Sequence, residues 1–202
     1  MDKPIGALLF WHWPKKRMSS TESLRNDHFL IERMVRALNT TADLLQAGKS
    51  IPAPFLDQAI DFTKNFTNVC HHGKEEDSLF PTLEKGGMPR DGGPIARMLF
   101  EHEMTKQLAD KMAASAQANV TTGDFAQLVA DIRAYTEHVS SHLGKENLRL
   151  FVMADMMLQG KAAQMGKELA DTEEAKLKAL GKTRSHYEQL VSSYDAEISR
   201  QG

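Results

Sequence analysis

The chain has 202 residues, 41% hydrophobic and 26% charged, with a formal net charge of −2. That is enough for one domain with a sizeable core, with or without an appendage. Its balance excludes a strongly basic nucleic-acid binder, since no basic run exceeds Lys15-Lys16-Arg17, and its single cysteine, Cys70, excludes an intramolecular disulfide and fits a reducing compartment.

The N-terminal segment, residues 1–19, holds a short apolar run from Ile5 to Trp11, and most of its basic residues follow that run, the reverse of a secretory signal. No stretch approaches the ~18 apolar residues of a membrane helix, so a cytoplasmic protein without membrane or nucleic-acid partners is expected. Trp11, His12 and Trp13 are expected to pack against the rest of the chain. Strand signals are nearly absent, and Gly and Pro fall in a few clusters that cut residues 20–160 into four long helices. The first spans about Ser20 to Ala47, with Ser19 and Glu22 in capping-box form and Gly48 as the residue after the cap. Its seam is Leu24, His28, Ile31, Val35, Leu38, Ala42 and Leu45, which points His28 inward and leaves Asp27 off the stripe.

The second helix is expected from Pro54 to Glu84, with the seam Phe55, Ala59, Phe62, Phe66 and Val69 and a kink near Pro81. The third runs from Pro94 to about Ala118, and its seam includes Ile95, His102 and Met112. The fourth runs from about Asp124 to Leu158, with Leu128, Ile132, Tyr135, Val139, His142, Glu146, Leu150 and Met153 as one inward stripe. Residues 161–202 are more polar and predict one or two amphipathic helices split near Gly181, packed outside the bundle and without chemistry of their own. Short loops between long helices give an all-α, up-down-up-down four-helix bundle with a C-terminal helical extension.

One phrase is written twice. His71-His72-Gly73-Lys74-Glu75-Glu76-Asp77-Ser78-Leu79-Phe80 returns 71 residues later as His142-Leu143-Gly144-Lys145-Glu146-Asn147-Leu148-Arg149-Leu150-Phe151, with six of ten positions identical. Its chemical content is His-x3-Glu, an imidazole and a carboxylate on one helix face. A carboxylate in an apolar seam needs a partner, and a cation satisfies several such groups together. His28 and His102, 74 residues apart, echo the same spacing. Two carboxylates and four imidazoles exceed one tetrahedral zinc site and suit two first-row ions; by donor type alone iron, manganese and zinc all qualify. On the second helix, the repeat selects His71 and Glu75 while the seam continues to His72 and Glu76, and a local bulge at the site would reconcile the two. His138, one turn before His142, stands as either a further ligand or relay or a partly buried core histidine.

These stretches resemble the hemerythrin-like, HHE cation-binding family over residues 20–160. The similarity is carried by Asn26 to Glu32, His71 to Pro81, Phe100 to Glu103 and His142 to Phe151. The resemblance implies a four-helix bundle around a non-haem centre of two iron ions, oxo- or hydroxo-bridged and carboxylate-bridged. Carried over by position, the ligands are His28, His71, Glu75, His102, His142 and Glu146. The residue four after His102 is Lys106, where the oxygen carriers have a histidine, so the pattern is nearer the subgroup with two His-x3-Glu pairs. The family implies binding or reaction of oxygen, nitric oxide or peroxide in stress response or sensing. Alternatives are iron donation or iron–sulfur cluster repair for a client protein, or a metal-stabilised sensor module without turnover.

Overall fold

The computed structural model describes residues 19–49, 51–122 and 125–201. Trp11, His12 and Trp13, expected to pack on the bundle, lie outside them. Among the described residues there are six helices and no strand: α1 Glu22–Gln46, α2 over residues 53–85, α3 Pro94–Thr122, α4 over residues 126–157, α5 Ala162–Ala179 and α6 Arg184–Gln201.

The ends follow local chemistry, with one exception. Gly48 takes φ +76°, and the amides of Gly48 and Lys49 donate to the carbonyls of Leu45 and Leu44, closing α1 with a Schellman turn. The expected capping box at its start does not form. Thr21 precedes the helix without a side-chain cap, and the Ser19 hydroxyl instead donates to Asp155 on α4 at 2.9 Å. Pro81 does not end α2. It falls in the first turn of a final α-helical stretch, Phe80–Lys85, just after a wider π-helical turn, Glu75–Leu79.

Cross-links between α1 and α4 pair Arg25 with Asn147 and Asn39 with Arg133, so those helices are antiparallel. Asp27–His71 with Ser23–Lys74, and Glu76–His102 with Lys64–Asp110, give the same sense to α1–α2 and α2–α3, which makes α3 and α4 antiparallel as well. The four helices therefore run up, down, up, down.

The interior has two apolar clusters. One contains Ile31, Leu38, Phe62, Phe66, Ala109, Ile132 and Val139; the other contains Leu24, Leu79, Phe80, Ile95, Met98, Leu150 and Phe151. On each of α1–α4 the residues between these clusters are the histidines and acids singled out in the sequence.

The C-terminal helices are not peripheral. α6 lies alongside α1, where Tyr194 and Thr41 share a hydroxyl hydrogen bond of 2.9 Å and Arg33 pairs with Asp195. α5 crosses α2, with Ser78 bonded to Thr172. Tyr187, Val191 and Tyr194 belong to the main core cluster. α1 accordingly buries a second stripe, Asp27, Leu30, Met34, Ala37, Thr41 and Leu44, beside its bundle seam. The helical hairpin completes the core rather than decorating it. No helix of the described residues is long and apolar enough to cross a membrane.

Candidate metal centre

The backbone of α2 explains how adjacent histidines both turn inward. Its turns from Phe62 to His71 are π-helical, bonded i to i+5. The inward row does not step from Phe66 to Val69 as an α-helix would; Val69 is 37% exposed, whereas Cys70 is at 0%. The seam predicted through Val69 is corrected at this point by the wider turn. His71, His72 and Glu75 are all buried. The π turn Glu75–Leu79 of α2 is matched by one over Glu146–Leu150 of α4, each beginning at the acid of its repeat, so the sequence repeat is also a backbone repeat.

The buried groups form two overlapping sets, each with donor atoms within 4.8 Å of one another. His28, His71, Glu75 and Glu146 make one; Glu75, His102, His142 and Glu146 make the other, and His72 clusters with His102 and His142. The structure thus brings together all six residues expected from the repeat, and His72 with them. Both acids belong to both sets.

Nε2 of His28, His71, His102 and His142 and all four carboxylate oxygens of Glu75 and Glu146 are buried without a hydrogen-bond partner. The groups approach without bonding geometry: His28 Nε2 lies 3.2 Å from Glu146, His102 Nε2 3.2 Å from Glu75, and His142 Nε2 3.3 Å from Glu146. Two buried carboxylates left this way cost several kcal/mol each, and cations between them and the imidazoles remove that cost. Burial opposes charge on Glu146, yet His142, His102 and His28 hold its carboxyl well below the ordinary range. Burial likewise opposes charge on His28 and His102, but the surrounding acids raise both. Burial and the neighbouring imidazoles push His72 the other way, keeping it neutral.

The far nitrogen of each of four imidazoles is held. Nδ1 of His71 donates to Asp27 at 3.2 Å, of His102 to Glu76 at 2.7 Å, of His142 to Glu101 at 3.1 Å, and of His28 to the Asn147 side chain at 3.0 Å. A proton fixed at Nδ1 leaves the Nε2 lone pair facing the centre, which is how metal-binding imidazoles are oriented. Glu76 is therefore a partner of His102 at the protein surface, outside the buried sets. His138 is outside them too: its Nε2 bonds the Glu101 carbonyl at 3.0 Å, and its burial lowers its pKa. Cys70 is buried, with its thiol pushed up to about 12 by that burial.

Asp27 is off the bundle seam as the spacing predicts, but it is buried on the second stripe; the expectation that residues 161–202 carry no chemistry is corrected. Asp27 is fully buried and takes His71, Lys74 at 2.7 Å and Arg184 at 2.8 Å, while Glu173 takes the same Lys74 and Arg184. The equivalent set on the other half is Glu101 with His142, Lys145 and Arg97. The signal was present: an acid directly precedes both His28 and His102, and a lysine directly precedes both Glu75 and Glu146.

A polar vestibule of about 440 Å³ between α2 and α3 has His72 and His102 among its lining, with Asn68, Glu76, Glu103 and Lys106. A model of the hemerythrin HHE cation binding domain matches residues 19–154. The chain belongs to the hemerythrin HHE cation-binding family. The matched residues of this hemerythrin-like chain span all four helices that supply the cluster, and the family and the clustered histidines and acids together point to a metal-binding site. Among curated relatives are uncharacterised proteins of Mycobacterium bovis and Mycobacterium tuberculosis, each 25% identical over 159 residues. The match covers 77% of this chain and 62% of each relative, so the chain spans less than two thirds of their length. No solved structure shows a significant match to it.

Proposed function

We propose that the cluster holds two iron ions and that the protein binds or reacts with a small ligand, oxygen, nitric oxide or peroxide, in stress response or sensing. The observation that carries this is the set of orphaned atoms: four imidazole nitrogens and four carboxylate oxygens converge, buried, with no partner among the described residues. His28 and His71 would hold one ion and His72, His102 and His142 the other, with Glu75 and Glu146 shared between them. Two irons held there would supply redox chemistry toward small oxygen and nitrogen ligands. The chain's own residues do the rest. Asp27, Glu76, Glu101 and Asn147 fix the imidazole orientations, and the two apolar clusters exclude bulk water above and below. The vestibule would admit a small ligand to the His72 and His102 side.

A second reading, iron donation to a client protein, draws on the same vestibule, which offers an ion a polar way out. Metal content and visible spectra of the aerobically purified chain test the proposal. Two irons per chain with near-ultraviolet absorption that changes on adding nitric oxide or peroxide is the expected result. A colourless protein carrying only zinc overturns it, and stoichiometric transfer of iron to an apo cluster protein favours donation.

A further inference from the structure

We propose that the C-terminal hairpin makes the two metal positions unequal, locking the His28–His71 side while the His72–His102–His142 side exchanges through the vestibule. The inference rests on the two-ion reading above and goes beyond it, because α5 and α6 lie outside the family-matched residues 19–154.

The two halves of the repeat carry the same inner framework. His71 donates to Asp27, which Lys74 pairs; His142 donates to Glu101, which Lys145 pairs. What differs is the cover. On the first half α5 and α6 bring Glu173 and Arg184 over the pair: Lys74 Nζ lies 2.6 Å from Glu173, and Arg184 spans Asp27 at 2.8 Å and Glu173 at 3.0 Å. Ser23 takes a further bond from Lys74 at 2.9 Å. The Lys74 side chain is at 0% exposure as a result. The stem of Lys176 on α5 lies over Gly73, where an added Cβ would meet it at 2.8 Å. On the second half Lys145 is 36% and Arg97 63% exposed, and nothing lies within 4 Å of the Cβ position at Gly144.

In the buried part of the clamp Asp27 and Glu173 face Lys74 and Arg184, and the exposed Glu188 holds the Arg184 Nε at 3.0 Å, so Asp27 can neither swing to solvent nor release His71 without leaving a buried charge unpaired. His71 is thereby fixed through Asp27, and Glu173 and Arg184 are positioning residues for it. The opposite side has no such lock. His102 is steadied by Glu76, whose side chain is 41% exposed, and the vestibule reaches both His72 and His102.

The test is extraction of iron from the full, two-iron chain by a ferrous chelator under anaerobic reduction, followed by absorbance. Two phases of equal amplitude are expected. Arg184→Gln and Glu173→Gln should speed the slow phase by up to about tenfold, the lower end of the loss in metal affinity expected when the direct partner of a ligating histidine, here Asp27, is itself removed, and leave the fast phase unchanged. Arg184→Lys, which keeps a cation on Asp27, should restore slow release. Arg33→Gln breaks the Arg33–Asp195 pair that ties α1 to α6 without touching Asp27, and it should release iron as the parent does. Two irons leaving in a single phase overturn the inference alone. So does a slow phase unmoved in Arg184→Gln and Glu173→Gln, or one moved equally by Arg33→Gln. A chain that binds fewer than two irons overturns the two-ion reading and this inference with it; should Arg184→Gln fail to fold, the phases of the parent chain and Glu173→Gln still decide.

Discussion

Glu75 and Glu146 each sit at 0% exposure with both oxygens unbonded, and every assignment at the residue scale follows from what satisfies them. His72 separates the repeat-based ligand set from the one the geometry supports. It clusters with His102 and His142, whereas His138 bonds a backbone carbonyl outside the cluster. His72→Ala should therefore lower bound metal by about one ion per chain with helicity retained, and His138→Ala should leave metal content unchanged; elemental analysis with circular dichroism measures both. Equal loss in the two variants, or none in His72→Ala, contradicts the placement. The repeat selects His71 and the seam His72, and the bulge that would reconcile them is present, with both histidines buried. Their shared burial depends on the π-helical turns of α2, and nothing in the spacing of Phe62 and Phe66 announces an i to i+5 bond. Cys70, buried beside them, should resist thiol reagents at pH 8 in the native chain and react fully once the chain is unfolded, as titration with a chromogenic disulfide would read.

At the scale of elements, α1 explains why the hairpin matters. Its seam of Leu24 to Leu45 faces α2 and α4, and its second stripe of Leu30, Met34, Ala37, Thr41 and Leu44 is buried as well. Tyr194 closes that second face, packing in the main core and sharing a hydrogen bond with Thr41. Tyr194→Ala should destabilise the fold by about 3–5 kcal/mol, as truncation of a buried aromatic does. Tyr194→Phe should cost only ~1 kcal/mol, the worth of the hydroxyl bond. Denaturant melts of the two variants check the ratio, and a near-neutral Tyr194→Ala would mean the hairpin is not part of the core. The four helices and their order were legible because Gly and Pro punctuate the chain and the seams keep a clean three-and-four step. The second stripe has the same step, but on α1 it includes the charged Asp27, and the polar composition of residues 161–202 masks their buried face. A charged residue reads as surface until its partners, His71 and Lys74 from α2 and Arg184 from α6, are brought to it.

Across the whole molecule, a polar layer divides two apolar clusters, and the inward-facing atoms of that layer are groups that need a cation. Folding and metal binding are then one equilibrium. At metal concentrations about 100 times the dissociation constant, each ion bound only by the folded state adds ~2.7 kcal/mol. For a chain of this size that corresponds to roughly 5–10 °C in melting temperature per ion. Removing metal with a chelator should lower the melting temperature by at least that much, in steps that track metal content, and adding iron back should restore it. Glu146→Ala should melt at one temperature with or without metal, because it removes an acid common to both sets. A native chain whose melting temperature ignores chelation would mean the two apolar clusters hold the bundle by themselves and that the buried acids are balanced by protons on His28 and His102 instead.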